Sequence, residues 1–314
     1  MRAHRTLAPA KVNLGLFVGR ARERDGKHEL VTVMQSVSLA DTVTLEPADD
    51  DSERDEVICP ALPGPPEQNL AARALEDFRR ASGWRSPPVR VRIEKRIPIA
   101  AGLAGGSADA AATLRLAAAA SGLGDRGLLL ELAAALGADV SAQLQPGRWL
   151  AGGAGETISA LPPPRGALEL LLVPSAEGLS TAGVYAEADR LGLARAPAEL
   201  EGLAARLREA LGGGEPLPVQ AELLHNDLEP AAVSLCPQID ATLARVREAG
   251  APVAFLSGSG PTVVGVFAGP DARVLRRRAC ELLRDRSPAV IACTAVDAGA
   301  GAVSALEQPG ARRH

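Results

Sequence analysis

Pro98-Ile-Ala-Ala-Gly-Leu-Ala-Gly-Gly-Ser-Ala-Asp109 is a glycine-rich turn that runs straight into an alanine- and leucine-rich segment. Gly102, Gly105 and Gly106 predict a backbone that reaches φ values closed to side chains and approaches a ligand closely. A helix beginning near Ser107 would aim unpaired N–H groups and the positive end of its dipole at the same space. Such a place suits a phosphate. On geometry alone the stretch reads equally well as a purely structural loop. It is not a Walker A sequence, because no Gly-Lys-Ser/Thr follows it, so nucleotide chemistry here would belong to a different kinase architecture.

Working outward, Val89 to Ile93 alternates as a strand feeding the turn, and helices are predicted at about 108–120 and 127–136, the second closed by Gly137. Val12, Leu14, Leu16 and Val18 carry the period of a half-buried strand. Val31 to Leu39 is another strand, with Asp41 to Leu45 either its continuation or a partner. Asp49 to Asp55 reads as a solvated loop, Leu62 to Pro66 as a Pro/Gly turn, and Asn69 as the cap of a helix through Phe78 and Arg80. Pro162–Pro164 marks a boundary. Beyond it the pattern predicts strands at 168–173, 253–256, 262–267 and 290–296. Helices are expected at 181–191, 198–211, 237–249 and 271–284. This is an α+β chain in two layers: residues 1–161, residues 162–300, and a tail, 301–314, expected to be disordered.

Composition excludes several classes. The chain has 314 residues, 46% hydrophobic and 23% charged, which is ordinary for a folded protein. A net charge of −4 offers no electrostatic footprint for nucleic acid. No apolar run reaches membrane-spanning length and no signal-like stretch follows Met1, so a soluble cytoplasmic protein is expected. Cys59, Cys236, Cys280 and Cys293 have neither metal spacing nor a paired framework and read as small buried apolar residues or inert thiols. No large apolar stripe stands out for an interface, so the sequence is silent on oligomeric state; a monomer or weak homodimer is the expectation.

Four constellations carry chemistry. Lys11 and Asn13 share one face of the first strand, while Val12 and Leu14 take the other. Lys11 is either a solvated edge charge or a compact cation in a cleft. Ser107 offers the glycine loop a hydroxyl for phosphate or a bound cation. Asp139, just after Gly137, is either the cap of the next segment or a general base kept ionised by a neighbouring lysine. Ser257-Gly-Ser-Gly-Pro261 is a tight hairpin whose N–H groups could also cradle an anion.

In this order the four resemble the GHMP kinase superfamily, with its lysine-bearing first strand, its P-x-x-x-G-L-x-x-S-A-type phosphate loop and its late glycine-rich hairpin. The likeness also takes in Asp25-Gly-Lys-His-Glu-Leu30, Leu136-Gly-Ala-Asp-Val140, Gly153-Ala-Gly-Glu156, Ser180 to Tyr185 and Asn226-Asp-Leu-Glu229, and it spans all but the tail. It is greatest to the members that phosphorylate the 2-hydroxyl of a diphosphocytidyl-linked methylerythritol in non-mevalonate isoprenoid synthesis.

The resemblance implies a ribosomal-protein-S5-like N-terminal domain and a ferredoxin-like C-terminal one, with the site between them. It implies ATP as phosphoryl donor, Mg²⁺ as the nucleotide's partner, and a small-molecule alcohol as acceptor. Asp139 would be the base and Lys11 would steady the charge beside it. Pro98, Ala100, Ala101, Gly102, Leu103, Ala104, Gly105, Gly106 and Ser107 would hold ATP phosphates, and Asn69, Leu70 and Lys95 would line the adenine pocket. Asn13, His28, Thr181 and Tyr185 would hold the cytidyl alcohol. Two departures stand out. Lys27 occupies the place of a stacking tyrosine in Asp-Gly-Tyr-His, and Ser141 and Gln143 replace a proline and an apolar residue. They leave room for another alcohol, or for a silent binding protein, although a binder does not require both Lys11 and Asp139.

Overall fold

The computed structural model describes residues 1–62, 65, 68–175, 177–214, 223–284 and 289–306. The first strand, β1 (His4–Ala21), is longer than its alternation suggests and is buried on both faces from Ala8 to Gly19, not half-buried. It is buried because it serves three cores. Ala8 packs beneath the helices of the first layer, Val12, Leu14 and Phe17 lie between the two layers, and Leu16 and Val18 reach the core of the second. Its polar side is buried as well, at Lys11 and Asn13, which are 8% and 5% exposed.

β2 (His28–Pro47) is one continuous strand, so Asp41 to Leu45 continues the run begun at Val31. It changes partner along its length. Besides β1, residues 42–47 pair with β4 (Val89–Glu94), while residues 32–35 pair with β5 (Arg148–Gly152), all antiparallel. β3 (Glu56–Ile58) lies parallel to β4, and β6 (Thr157–Leu161) closes against β5.

Helix α1 (Leu70–Ser82) starts where Asn69 accepts from the Ala71 N–H at 2.9 Å and stops at Gly83, whose φ is +69°. It buries Ala71, Ala74, Leu75 and Phe78, the spacing of one helical face. α2 (Gly105–Ser121) is buried from Ala108 through Leu114. Its alanines let α1, β1 and β2 approach it closely from several sides. α3 (Arg126–Leu136) and the short α4 (Ala138–Leu144) follow, joined through Gly137.

The chain leaves the first sheet at Leu161 and enters the second at β7 (Leu168–Val173), so the change of sheet falls at Pro162–Pro164. The second sheet has the order β10-β7-β9-β8, with β8 (Val253–Leu256), β9 (Val263–Ala268) and β10 (Ile291–Thr294). Helices α5 (Thr181–Leu191), α6 (Pro197–Gly212), α7 (Glu229–Leu235) and α8 (Gln238–Glu248) precede β8, and α9 (Ala272–Leu283) precedes β10. The interleaved antiparallel order is that of a ferredoxin-like layer. Both faces of β7 are covered. Leu170 and Leu172 face the first sheet, and Leu171 and Val173 face the core shared with α7, α8 and α9.

The C-terminal expectation needs correction. A 3₁₀ turn (Ala298–Gly301) leads to β11 (Ser304–Ala305), which pairs with the start of β1. The Thr6 hydroxyl donates to Gly301 O at 2.9 Å, and Leu306 N donates to Ala3 O at 2.8 Å. Residues 301–306 are therefore ordered on an edge nearly 300 residues upstream, which composition cannot reveal. The rest of the tail, 307–314, and parts of the Leu62–Pro66 turn lie outside the described residues. Among the described residues no helix is long and apolar enough to cross a membrane. All four cysteines are free, and burial pushes their thiols up, Cys293 to about 12.

Candidate active site

The glycine loop sits between the two layers. Its left-handed residues are Ala100 (φ +55°), Gly102 (φ +73°) and Ala104 (φ +55°). This corrects the expectation for Gly105 and Gly106, which are already helical. Gly102 is required twice over, since a Cβ there would stand 2.6 Å from Gly260 O and 2.8 Å from Ser257 O. Gly105 is packed tightly: a Cβ would press on Ile97 Cγ2 at 3.1 Å and Lys95 Nζ at 3.2 Å. The loop is pinned from both sides. Thr262 Oγ1 donates to Ala101 O at 2.7 Å, and Lys11 N donates to Leu103 O at 3.1 Å. No side chain caps the start of α2 and its first turn holds no acid, so those N–H groups are left for a ligand.

Beside the loop lies a cleft of about 460 Å³, lined among others by Lys11, Asn13, Ser107, Asp139, Thr181 and Tyr185. Residues from β1, α2, α4 and α5 therefore converge on one space. Lys11 Nζ donates to Asn13 Oδ1 at 2.7 Å and stands 3.7 Å from Asp139 Oδ2. Asp139 is the second residue of α4, behind Gly137, and caps nothing with its side chain, so the cap reading is set aside. Its carboxylate is 39% exposed, open to an incoming hydroxyl, whereas the Lys11 side chain is 9% exposed.

The far wall comes from α5. Ser180 caps the helix by accepting from Gly183 N, and Thr181 Oγ1 meets Ser259 Oγ of the late hairpin at 2.9 Å. Tyr185, one turn on, packs against His28 with ring centroids 4.8 Å apart and 39° between planes. Burial, with the Asp139 charge added, pushes the Tyr185 hydroxyl up to about 12 and keeps it neutral. His28 Nε2 contacts Asp189 Oδ1 at 2.9 Å, so this ring stands behind Tyr185 with one nitrogen engaged. Lys27 is exposed, and its backbone N–H donates to Asp25 Oδ1.

Of the expected nucleotide residues, Gly102, Ala104 and Ser107 line the cleft, while Pro98, Ala100, Ala101, Leu103, Gly105 and Gly106 of the loop do not, nor do Asn69, Leu70 and Lys95. Asn69 spends its side-chain oxygen on the α1 cap. Leu70 lies near Gly106, its Cδ1 4.0 Å from where a Cβ would be. Lys95 Nζ is held by Asp41 Oδ2 at 2.5 Å and Asp109 Oδ2 at 2.7 Å, beneath the loop. Residues that the sequence reading did not single out also enter the cleft: Leu30, Thr32 and Met34 from alternate positions of β2; Ser259, from the Ser257–Pro261 hairpin that the sequence did single out, joins them. Their period of two on one strand was the available signal.

Two layers of this kind, with a glycine-rich loop at an uncapped helix start and a lysine–aspartate pair between them, define a small-molecule kinase class. The chain matches the GHMP kinases N terminal domain over residues 69–147 and the GHMP kinases C terminal domain over residues 202–285. It is 43% identical over 299 residues to a 4-diphosphocytidyl-2-C-methyl-D-erythritol kinase of Streptomyces coelicolor, covering 94% of this chain and 96% of that one. A second kinase of the same name, from Anaeromyxobacter dehalogenans, is 42% identical over 276 residues, covering 85% and 82%. A crystal structure of 4-(cytidine 5'-diphospho)-2C-methyl-D-erythritol kinase superposes with a TM-score of 0.73 at 35% identity, covering 92% of this chain and 98% of that one. The L. major mevalonate kinase in complex with R-mevalonate shares the fold at 16% identity and a TM-score of 0.64. The chain belongs to the 4-diphosphocytidyl-2-C-methyl-D-erythritol kinase family of GHMP kinases.

Proposed function

We propose that the protein transfers the γ-phosphoryl group of ATP to the 2-hydroxyl of 4-diphosphocytidyl-2-C-methyl-D-erythritol. The observation that carries this reading is the Lys11–Asp139 pair at 3.7 Å beside an uncapped helix start. Asp139 accepts the hydroxyl proton as the oxygen attacks phosphorus, and Lys11 neutralises charge on the transferring group. The loop N–H groups from Gly102 to Ser107 receive the ATP phosphates. Rate comes from alignment and charge neutralisation, with no covalent intermediate on the protein. Tyr185 supplies one stacking face for cytosine, and His28, Asn13 and Thr181 supply polar contacts.

Mg²⁺ would travel with the nucleotide. Among the described residues no group of three or more His, Cys, Asp or Glu could hold a metal. Asp109 is turned towards Lys95, which leaves the Ser107 hydroxyl as the protein group suited to meet the ion.

A second reading, a GHMP kinase for a different alcohol, is favoured by one observation: exposed Lys27 offers no second ring to the base. ATP turnover measured with the cytidyl alcohol, mevalonate and homoserine separates the two. The cytidyl alcohol is expected to have the highest kcat/KM; preference for either of the others overturns the substrate assignment. Asp139→Asn is expected to lower kcat by about 10²–10⁴-fold while ATP affinity stays within about twofold. Loss of folding in that variant would count against the base.

A further inference from the structure

We infer that Thr32 is a positioning residue of the phosphoryl-transfer site: its hydroxyl fixes the Asn13 amide with Oδ1 towards Lys11 and so holds the ammonium away from contact with Asp139. The inference rests on the kinase reading above.

Three groups form a one-way chain of hydrogen bonds. Lys11 Nζ donates to Asn13 Oδ1 at 2.7 Å, Asn13 Nδ2 donates to Thr32 Oγ1 at 2.8 Å, and Thr32 Oγ1 donates to Gly15 O at 2.6 Å. An ammonium can only donate, and a hydroxyl has one hydrogen. Because Thr32 spends that hydrogen on a backbone carbonyl, it can only accept from Asn13. The amide is therefore held at both ends in one orientation, its Oδ1 on Lys11 and its NH₂ on Thr32.

Thr32 is suited to this task. It lies mid-strand on β2, opposite Leu16 of β1 and Ala151 of β5, and is 4% exposed. Its β-branched side chain has few rotamers to choose from. Asn13 is gripped at its backbone too, where its N–H donates to Ser257 Oγ at 3.3 Å.

The consequence concerns the base. A contact ion pair of lysine and carboxylate would close to about 2.7–2.9 Å and lower the basicity of the oxygen that must accept the substrate proton. Held by Asn13, Lys11 Nζ stays 3.7 Å from Asp139 Oδ2, near enough to neutralise charge and far enough to leave the carboxylate oxygen free. Without the hydroxyl of Thr32 the Asn13 NH₂ loses its acceptor, the amide can swing off the ammonium, and Lys11 then turns to Asp139.

Thr32→Val removes the hydroxyl at nearly constant volume. It is expected to lower kcat by about tenfold or more with KM for ATP within about twofold, and Thr32→Ser is expected to recover at least half of the lost activity. In an Asn13→Ala background the same Val substitution should cost less than about twofold, because its route to Lys11 is already cut. A Val variant that retains kcat within tenfold, or loses as much in the Asn13→Ala background, overturns the inference. Should Val not fold, Thr32→Ala is read in the same way. A measurement independent of turnover is the ¹⁵N NMR signal of the Asn13 side-chain amide. Its protons should be exchange-protected in the wild type and in Thr32→Ser and unprotected in Thr32→Val; equal protection in all three overturns the inference. If the wild type fails to phosphorylate the cytidyl alcohol, the function reading falls, and the amide signal still decides the role of Thr32.

Discussion

Two lysines flank the glycine loop, each with a side chain less than a tenth exposed, and their surroundings set them apart. Lys11 touches one amide oxygen at 2.7 Å and stands 3.7 Å from a carboxylate that is itself 39% exposed. Lys95 is clamped at 2.5 and 2.7 Å between Asp41 and Asp109, which are 0% and 1% exposed. Asp41 also accepts from the N–H groups of Arg96 and Ile97 at 2.5 and 2.8 Å. The triad therefore ties β2, the approach to the loop and the second turn of α2 into one unit. Burial alone would lower Lys95, but Asp109 and Asp41 reverse that and hold it above the usual lysine value. A lysine saturated by contact carboxylates is a structural clamp, while one held by a neutral amide keeps its charge available to a substrate.

The contrast can be broken by the same substitution at each site. Lys95→Met leaves two buried carboxylates without their cation and is expected to destabilise folding by roughly 3–5 kcal/mol, measured by chemical denaturation. Lys11→Met should leave unfolding nearly unchanged, because Asp139 is open to water, yet lower kcat by about 10²–10³-fold. If Lys95→Met proves as stable as the wild type and loses only turnover, the two lysines do not differ in kind, and Lys95 returns to the nucleotide site.

Local patterns in the chain carry most of this architecture. The Asn69 cap, β7 at Leu168–Val173 and α5 at Thr181–Leu191 fall where periodicity and capping residues place them. The pairing of Lys11 with Asp139 was legible only through the family resemblance, since 128 positions separate them and neither residue announces the other. What local pattern could not carry is contact across the chain. β1 alternates like a half-buried strand, but its polar side closes on a cleft and its apolar side on three cores. Lys95 looks like any exposed strand-end lysine until Asp41 and Asp109 are brought to it. The left-handed Ala100 and Ala104 carry no glycine to flag them. Gln143, polar where the family resemblance implies an apolar residue, donates to Pro9 O at 2.6 Å and accepts from Ser36 Oγ at 3.1 Å, tying α4 to β1 and β2. Nothing in the structure explains Ser141.

The smallest effect expected is also the one that reports most directly on the clamp. Two carboxyls share the single Lys95 ammonium, so one gives up its charge first, and Asp109, whose Oδ1 has no partner, is that one. Burial pushes its carboxyl from 3.8 up to about 7, with Lys95 pulling the other way. Between those values the folded chain binds a proton that the unfolded chain has released, so raising the pH works against folding. The stabilisation is complete below about 4, is lost as pH climbs towards 7, and changes little beyond. Asp109→Asn keeps an oxygen for Lys95 Nζ and removes the titration. Exposed carboxylates that titrate in both proteins cancel in the difference. The unfolding free energy of the wild type minus that of Asp109→Asn should therefore fall from pH 5 to pH 7 and level off by about pH 8. Parallel curves across that range would mean that Asp109 stays ionised beside Lys95. The clamp would then be two full ion pairs, and the Lys95→Met loss should lie at the upper end of its range.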